Sequence, residues 1–80
     1  MASMMTDVVE YLAKALVDEP DEVKVEERDD GGRVMVRLDV AEGDWGKVIG
    51  KGGRIATALR SMVKVAAVKE DVRASLEIGD

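Results

Sequence analysis

The sequence predicts an α+β domain of two layers, in which helices pack on one face of a three-stranded sheet. Three observations support this fold class: two segments carry apolar residues at helical spacing, three segments alternate apolar and polar residues, and glycine-rich turns separate them. The expected order is helix, strand, strand, short helix, glycine loop, helix, strand. The chain has 80 residues, so we expect a single domain over residues 1–80, with a flexible N-terminus at residues 1–5.

The first half of the chain predicts a helix followed by a hairpin. Residues 7–17 have helical spacing, and Asp7 is expected to cap this helix. Residues 23–27 and 34–40 alternate, and Asp-Gly and Gly-Gly between them supply the positive φ angles of a hairpin turn. These segments are therefore expected to pair as antiparallel strands. The second strand is expected to be half-buried, with one face formed by Val34, Val36, Leu38 and Val40.

The second half predicts a helical corner and a last strand. Residues 44–49 suit one or two helical turns, with Asp44 as the N-cap. Helical spacing returns over residues 54–68, and residues 72–78 alternate as a third strand. Because two helices separate the second and third strands, these strands can lie parallel through a crossover.

Composition narrows the possible functions. The chain contains neither cysteine nor histidine, which removes disulfides, thiolate metal sites and the commonest catalytic base. No apolar run approaches the ~20 residues that span a bilayer, and the first residues, MASMM, lack the pattern of a signal peptide. We therefore expect a cytoplasmic protein that is not an enzyme, needs no cofactor or metal and does not insert into membranes.

The charges are distributed unevenly along the chain. Residues 1–46 hold 13 acidic and 5 basic residues, whereas residues 47–69 hold 6 basic and no acidic ones. Residues 70–80 are acidic again, and the whole chain has a net charge of −5. The cationic segment is also the one that carries the glycine cluster. This asymmetry indicates a local anion-binding face on an acidic body.

The glycine cluster lies in VIGKGGRI, residues 48–55, next to Lys51 and Arg54. Gly50, Gly52 and Gly53 leave the backbone open to close approach, and the helix that follows begins with amides that attract anions. A plain corner between helices needs one glycine cap rather than three. A nucleotide-binding P-loop is excluded, because its G-x-x-x-x-G-K-[ST] spacing is not met. The cluster therefore predicts a phosphate-binding loop.

The segment IGKGGR, residues 49–54, resembles the I-G-x-x-G loop of a KH domain, which clamps about four single-stranded nucleotides. The element order resembles the type II KH arrangement, and nearly the whole chain is similar to the small bacterial single-KH family of RNA-binding proteins (KH-domain protein A). Ala56 departs from the family, which usually has a large aliphatic residue there. The resemblance implies a single-stranded RNA partner, a role as RNA chaperone or post-transcriptional regulator, and self-association. It also implies pairing with a larger KH-containing protein linked to cell shape and cell-wall biogenesis.

On this resemblance we assign candidate site residues. The expected RNA-binding residues are Ile49, Gly50, Lys51, Gly52, Gly53 and Arg54, with Lys47 and Arg60 extending the cationic rim. The expected groove walls are Val48, Ile55, Val36 and Leu38. The aromatic residues are Tyr11 and Trp45, both expected to be core or semi-buried, so an aromatic stacking platform is not expected.

The helix after the loop is apolar over a wider arc than one sheet can cover. Beside its sheet-facing stripe, a second stripe is formed by Ala58, Met62 and Val65. Exposed apolar patches usually mark interfaces, which predicts a homodimer or a contact with a related KH protein. The alternative is that the first helix covers this stripe. A rival function is a dimerisation or interaction module with little RNA binding, which the net negative charge favours.

Overall fold

The structure is a computed structural model that describes residues 3–79. Over this range the α-helices are α1 (Met4–Leu16), α2 (Trp45–Ile49) and α3 (Arg54–Lys69), and the strands are β1 (Lys24–Asp30), β2 (Arg33–Asp39) and β3 (Arg73–Ile78). This order confirms the predicted one. Within the same residues, none of the helices is long and apolar enough to cross a membrane.

The first helix begins earlier than the sequence predicted. Ser3 is its N-cap, and the Ser3 hydroxyl oxygen accepts a hydrogen bond from the amide of Thr6 at 3.2 Å. Asp7 therefore lies inside the helix, and the prediction that it caps α1 is wrong. The expected flexible end does not hold for Met4 and Met5, because both are helical and Met5 is buried in the core. Residues 1 and 2 of that expectation lie outside the described residues.

Over residues 3–79 the strands form one sheet in the order β1-β2-β3, with β1 antiparallel and β3 parallel to β2. Gly31 and Gly32 connect β1 to β2 with φ angles of 63° and 90°, as the hairpin pattern predicted. The parallel pairing of β2 and β3 also agrees with the predicted crossover. Among the described residues, β3 is left with an outer edge that no strand covers.

The core lies between one face of the sheet and the two long helices. Its fully buried side chains include Val9 of α1, Val63 of α3, and Val36 and Leu38 of β2. The opposite sheet face is polar, and there Arg37 bonds to Asp39 and Glu77 at 3.3 and 3.0 Å. The glycine loop between α2 and α3 lies outside this core, because Lys51 and Gly52 are exposed.

Candidate functional site

The glycine loop is a tight corner between α2 and α3. The Gly50 amide donates to the carbonyl oxygen of Gly46 at 2.9 Å and ends α2, and the Gly53 amide donates to the carbonyl oxygen of Gly50 at 3.1 Å. Gly50, Gly52 and Gly53 have φ angles of 78°, 66° and 76°. L-amino acids rarely adopt such angles, so the corner depends on glycine at these positions.

The glycines of the loop differ in what surrounds them. A β-carbon built on Gly50 would lie 2.6 Å from Cγ1 of Ile55, whereas nothing lies within 4 Å of one built on Gly52 or Gly53. Gly50 is therefore required by packing inside the protein. The backbone of Gly52 and Gly53 is instead open to solvent, where a ligand can approach it closely. The sequence pattern did not separate these two roles.

Cationic side chains stand on both sides of this open backbone. Lys51 and Arg54 are exposed, and neither forms a salt bridge with a carboxylate from residues 3–79. The first turn of α3 begins at Arg54, and its unpaired amides and macrodipole add partial positive charge at the same place. The loop therefore combines an accessible backbone with a positive potential, which suits a phosphate group.

Lys47 is already engaged within the protein. Its Nζ lies 2.9 Å from Oδ2 of Asp18, in the segment after α1. This hydrogen bond, followed by the Coulomb attraction of the same carboxylate, raises the pKa of Lys47. A contact between Lys47 and RNA would have to replace this ion pair, so Lys47 is a weaker candidate for the cationic rim than Lys51 or Arg54.

The predicted groove walls require correction. Val36, Leu38 and Val48 have no exposed surface, so in this structure they belong to the core and cannot contact a ligand. Ile55 is partly buried against the core and is the one predicted wall that reaches the surface within the described chain. The alternating pattern did identify the inward face of β2. It could not show that α1 and α3 cover that face completely.

A more accessible groove lies between α3 and β3. Lys64 of α3 lines one side of it, and Ala74 and Ser75 of β3 line the other. Arg60 lies four residues before Lys64 and is exposed, so helical spacing places both cations on the same flank of α3. Sequence reasoning found Arg60 but missed Lys64 and the β3 edge, although the i, i+4 spacing was visible.

The second apolar stripe of α3 is accessible in this structure. Met62 is 44% exposed and Val65 is 55% exposed, so the alternative that α1 covers the stripe holds only in part. Met62 and Ala58 line a cleft that runs between α1 and α3, together with Leu12, Ala15, Leu16 and Ile55. On α1, Tyr11 is 75% exposed, which contradicts its expected burial.

Asp44 connects two segments that the sequence treats as separate. Its buried carboxylate accepts a hydrogen bond from the backbone amide of Glu19 at 3.0 Å. Asp44 stands at the N-cap position of α2, but its side chain makes no capping bond there, so the predicted cap is wrong. Together with the Lys47–Asp18 pair, this bond holds α2 against the segment after α1. Trp45, the next residue, packs partly buried against the core, as expected.

Known proteins match nearly the whole chain. The family model described as KhpA/KhpB, KH domain, matches residues 6–78. RNA-binding protein KhpA of Halalkalibacterium halodurans is 53% identical over 76 residues, which cover 95% of this chain and all of that protein. Proteins of the same name from Caldanaerobacter subterraneus subsp. tengcongensis and Treponema pallidum are 51% and 45% identical, over 74 and 80 residues. These matches cover 92% and 100% of this chain, and 99% and 100% of the two proteins.

Solved structures share the fold at low sequence identity. A crystal structure of Aquifex aeolicus Era bound to GDP and AlF4− superposes on 94% of this chain with a TM-score of 0.61 and 15% identity. A structure of Era with MgGDPNP and part of 16S ribosomal RNA gives a TM-score of 0.60, also at 15% identity, over 92% of this chain. The chain spans 29% and 28% of those proteins, so the likeness concerns the fold of one part of each.

Proposed function

The chain belongs to the KhpA/KhpB family of KH domains, and on that premise we propose that it binds single-stranded RNA and catalyses no reaction. The observation that carries the proposal is the loop itself. Its open backbone at Gly52 and Gly53 lies between the exposed cations Lys51 and Arg54. The names of the relatives, all RNA-binding proteins, support the same class of ligand.

In the proposed mechanism the loop holds the RNA backbone. Lys51 and Arg54 neutralise phosphates, and the open amides of the loop come within hydrogen-bonding distance of phosphate oxygens. The bases then lie in the groove between α3 and β3. There the outer edge of β3 offers backbone donors and acceptors, while Arg60 and Lys64 line the other side. Unpaired bases suit this groove, because a duplex keeps their edges occupied.

A titration with a labelled single-stranded oligonucleotide tests this function. Fluorescence anisotropy measures the binding at several salt concentrations. Each phosphate contact to a single strand contributes about −0.7 to the slope of log affinity against log salt, so three or four contacts give roughly −2 to −3. A duplex of the same sequence is the matched control, and it should bind more weakly than the single strand. A slope near zero, or equal affinity for the duplex, would rule out a phosphate clamp on single strands.

We also propose that the second apolar stripe of α3 mediates assembly. Ala58, Met62 and Val65 form a homodimer interface in this proposal, or a contact with a larger KH-containing protein at the same surface. The exposure of Met62 and Val65 and the adjoining cleft support it. By family resemblance, the complex acts in the cytoplasm as an RNA chaperone or post-transcriptional regulator that affects cell shape and cell-wall biogenesis.

A second candidate function is an interaction module with little intrinsic RNA binding. The apolar cleft and the net charge of −5 favour it, since an acidic body repels RNA outside the loop. The two candidates predict different outcomes in the same experiment. If the chain assembles but retains RNA no better than a variant with a reversed loop charge, the interaction module is correct.

A further inference from the structure

Two arginines face each other at the far end of the sheet from the glycine loop. Arg33 begins β2, Arg73 begins β3, and the two residues are direct partners in the parallel register. Like charges in such positions destabilise a sheet. Asp30 is the partner of Arg33 on β1, yet within residues 3–79 no carboxylate forms a salt bridge with either arginine. The fold therefore brings two arginines together without an ion pair to a carboxylate of residues 3–79, although Asp71 lines an adjoining cavity with Arg73.

These arginines line the same groove as Lys64. The floor of the groove is apolar and includes Ala67, Val68 and Val72, and the cations stand around it. Val68 is 78% exposed, although it lies on the longest helix of the described chain. An accessible aliphatic surface beside clustered cations matches the chemistry of a nucleotide, which has an apolar base face and an anionic phosphate.

We propose that this end of the α3–β3 groove is a second nucleotide-binding subsite on the same RNA strand. Arg33, Lys64 and Arg73 hold a phosphate, and the base packs on Val68 and Val72. The inference rests on the proposed RNA-binding function and extends its footprint. Val68 lies fourteen residues after Arg54, which at ~1.5 Å per residue is about 21 Å along the axis of α3. The subsite thus engages nucleotides beyond the about four that a GxxG loop holds.

The charge pattern favours RNA over an acidic protein segment as the occupant. Arg60 lies one helical turn before Lys64, toward the loop and on the same flank of α3, so one polyanionic strand can reach both places. The opposite edge of the sheet, β1, is rich in carboxylates and repels such a strand. A free phosphate ion would use the cations but not the aliphatic floor.

The test compares two oligonucleotide lengths and two charge-matched variants. Arg33→Gln with Arg73→Gln removes two charges from the subsite, whereas Lys24→Gln with Arg28→Gln removes two from β1. For a decanucleotide, we expect the subsite variant to lose about three- to tenfold in affinity and to flatten the salt slope by about 0.7 to 1.4. For a tetranucleotide we expect the subsite variant to bind like the wild type. The β1 variant should bind both oligonucleotides with wild-type affinity.

Each outcome decides the proposal. If the subsite and β1 variants bind the decanucleotide equally, the subsite is wrong, while loop-dependent binding of the tetranucleotide still supports the proposed function. If the wild type binds neither length, both proposals fail. Inorganic phosphate that competes with the decanucleotide no better than chloride of equal ionic strength supports a nucleotide site, and strong competition would reduce the subsite to a phosphate site. Arg73→Gln provides a single exposed substitution with the same expected direction, should the double variant fold poorly.

Discussion

Gly50 and Ile55 pack so closely that a β-carbon on the glycine would lie 2.6 Å from Cγ1 of the isoleucine. The φ and ψ angles of Gly50 are 78° and 171°, in a region that is essentially restricted to glycine. The first glycine of the loop therefore fixes how α3 leaves the corner, while the other two provide the open surface.

Replacement of Gly50 by alanine should destabilise the protein. We expect Gly50→Ala to lower the free energy of unfolding by at least about 2 kcal/mol, because it adds both a steric clash and an unfavourable backbone conformation. Gly46→Ala is the control, since Gly46 lies in α2 with nothing within 4 Å of an added β-carbon. That substitution should be neutral or slightly stabilising. Urea denaturation measures both, and equal stabilities would contradict the packing role.

Reversal of the loop charge should abolish RNA binding without unfolding the protein. Lys51→Asp with Gly52→Asp puts carboxylates where phosphates are expected, and aspartate tolerates the left-handed backbone better than most residues. We expect affinity for a tetranucleotide to fall at least about tenfold, or 1.4 kcal/mol, with an unchanged circular dichroism spectrum. Lys24→Asp with Gly31→Asp makes the same charge change at an exposed strand and a glycine of similar φ, and it should bind like the wild type. Wild-type affinity in the loop variant would place the site elsewhere.

A charge in the second apolar stripe should disrupt self-association. We expect the wild type to sediment as a dimer in analytical ultracentrifugation and Met62→Glu to sediment as a monomer, because burying a lone carboxylate at an interface is costly. The control is Arg60→Glu, an exposed change on another side of α3. A wild type that stays monomeric at high concentration would refute the interface, as would a Met62→Glu variant that remains dimeric.

Loss of the buried carboxylate of Asp44 should weaken the attachment of α2. Asp44→Ala leaves the amide of Glu19 without its acceptor, and we expect a loss of about 1–3 kcal/mol in the free energy of unfolding. Asp44→Asn keeps an acceptor oxygen of the same shape, so it should lose less. Chemical denaturation of both variants tests this difference, and equal losses would show that the hydrogen bond contributes little.

Local sequence patterns predicted the helices and strands better than they predicted what packs against each of them. Alternation and helical spacing gave the order, the hairpin and the inward face of β2, because those signals depend on near neighbours. Both predicted caps failed: Ser3, close to the chain end, caps α1 in place of Asp7, and Asp44 reaches across to Glu19. The groove walls failed for a related reason. Periodicity shows which face is apolar, but only the packed structure shows whether another element covers it.

The parallel pairing of β2 with β3 has a consequence for how the site forms. β1 and β2 meet through a two-residue turn, whereas Arg37 pairs with Glu77, 40 positions away. Contacts between distant residues form late and slow the folding of small domains, since closing the intervening chain costs entropy. Both sides of the proposed RNA groove depend on that closure. RNA affinity in this groove should thus appear together with the folded sheet, because the groove lacks one side until β3 docks.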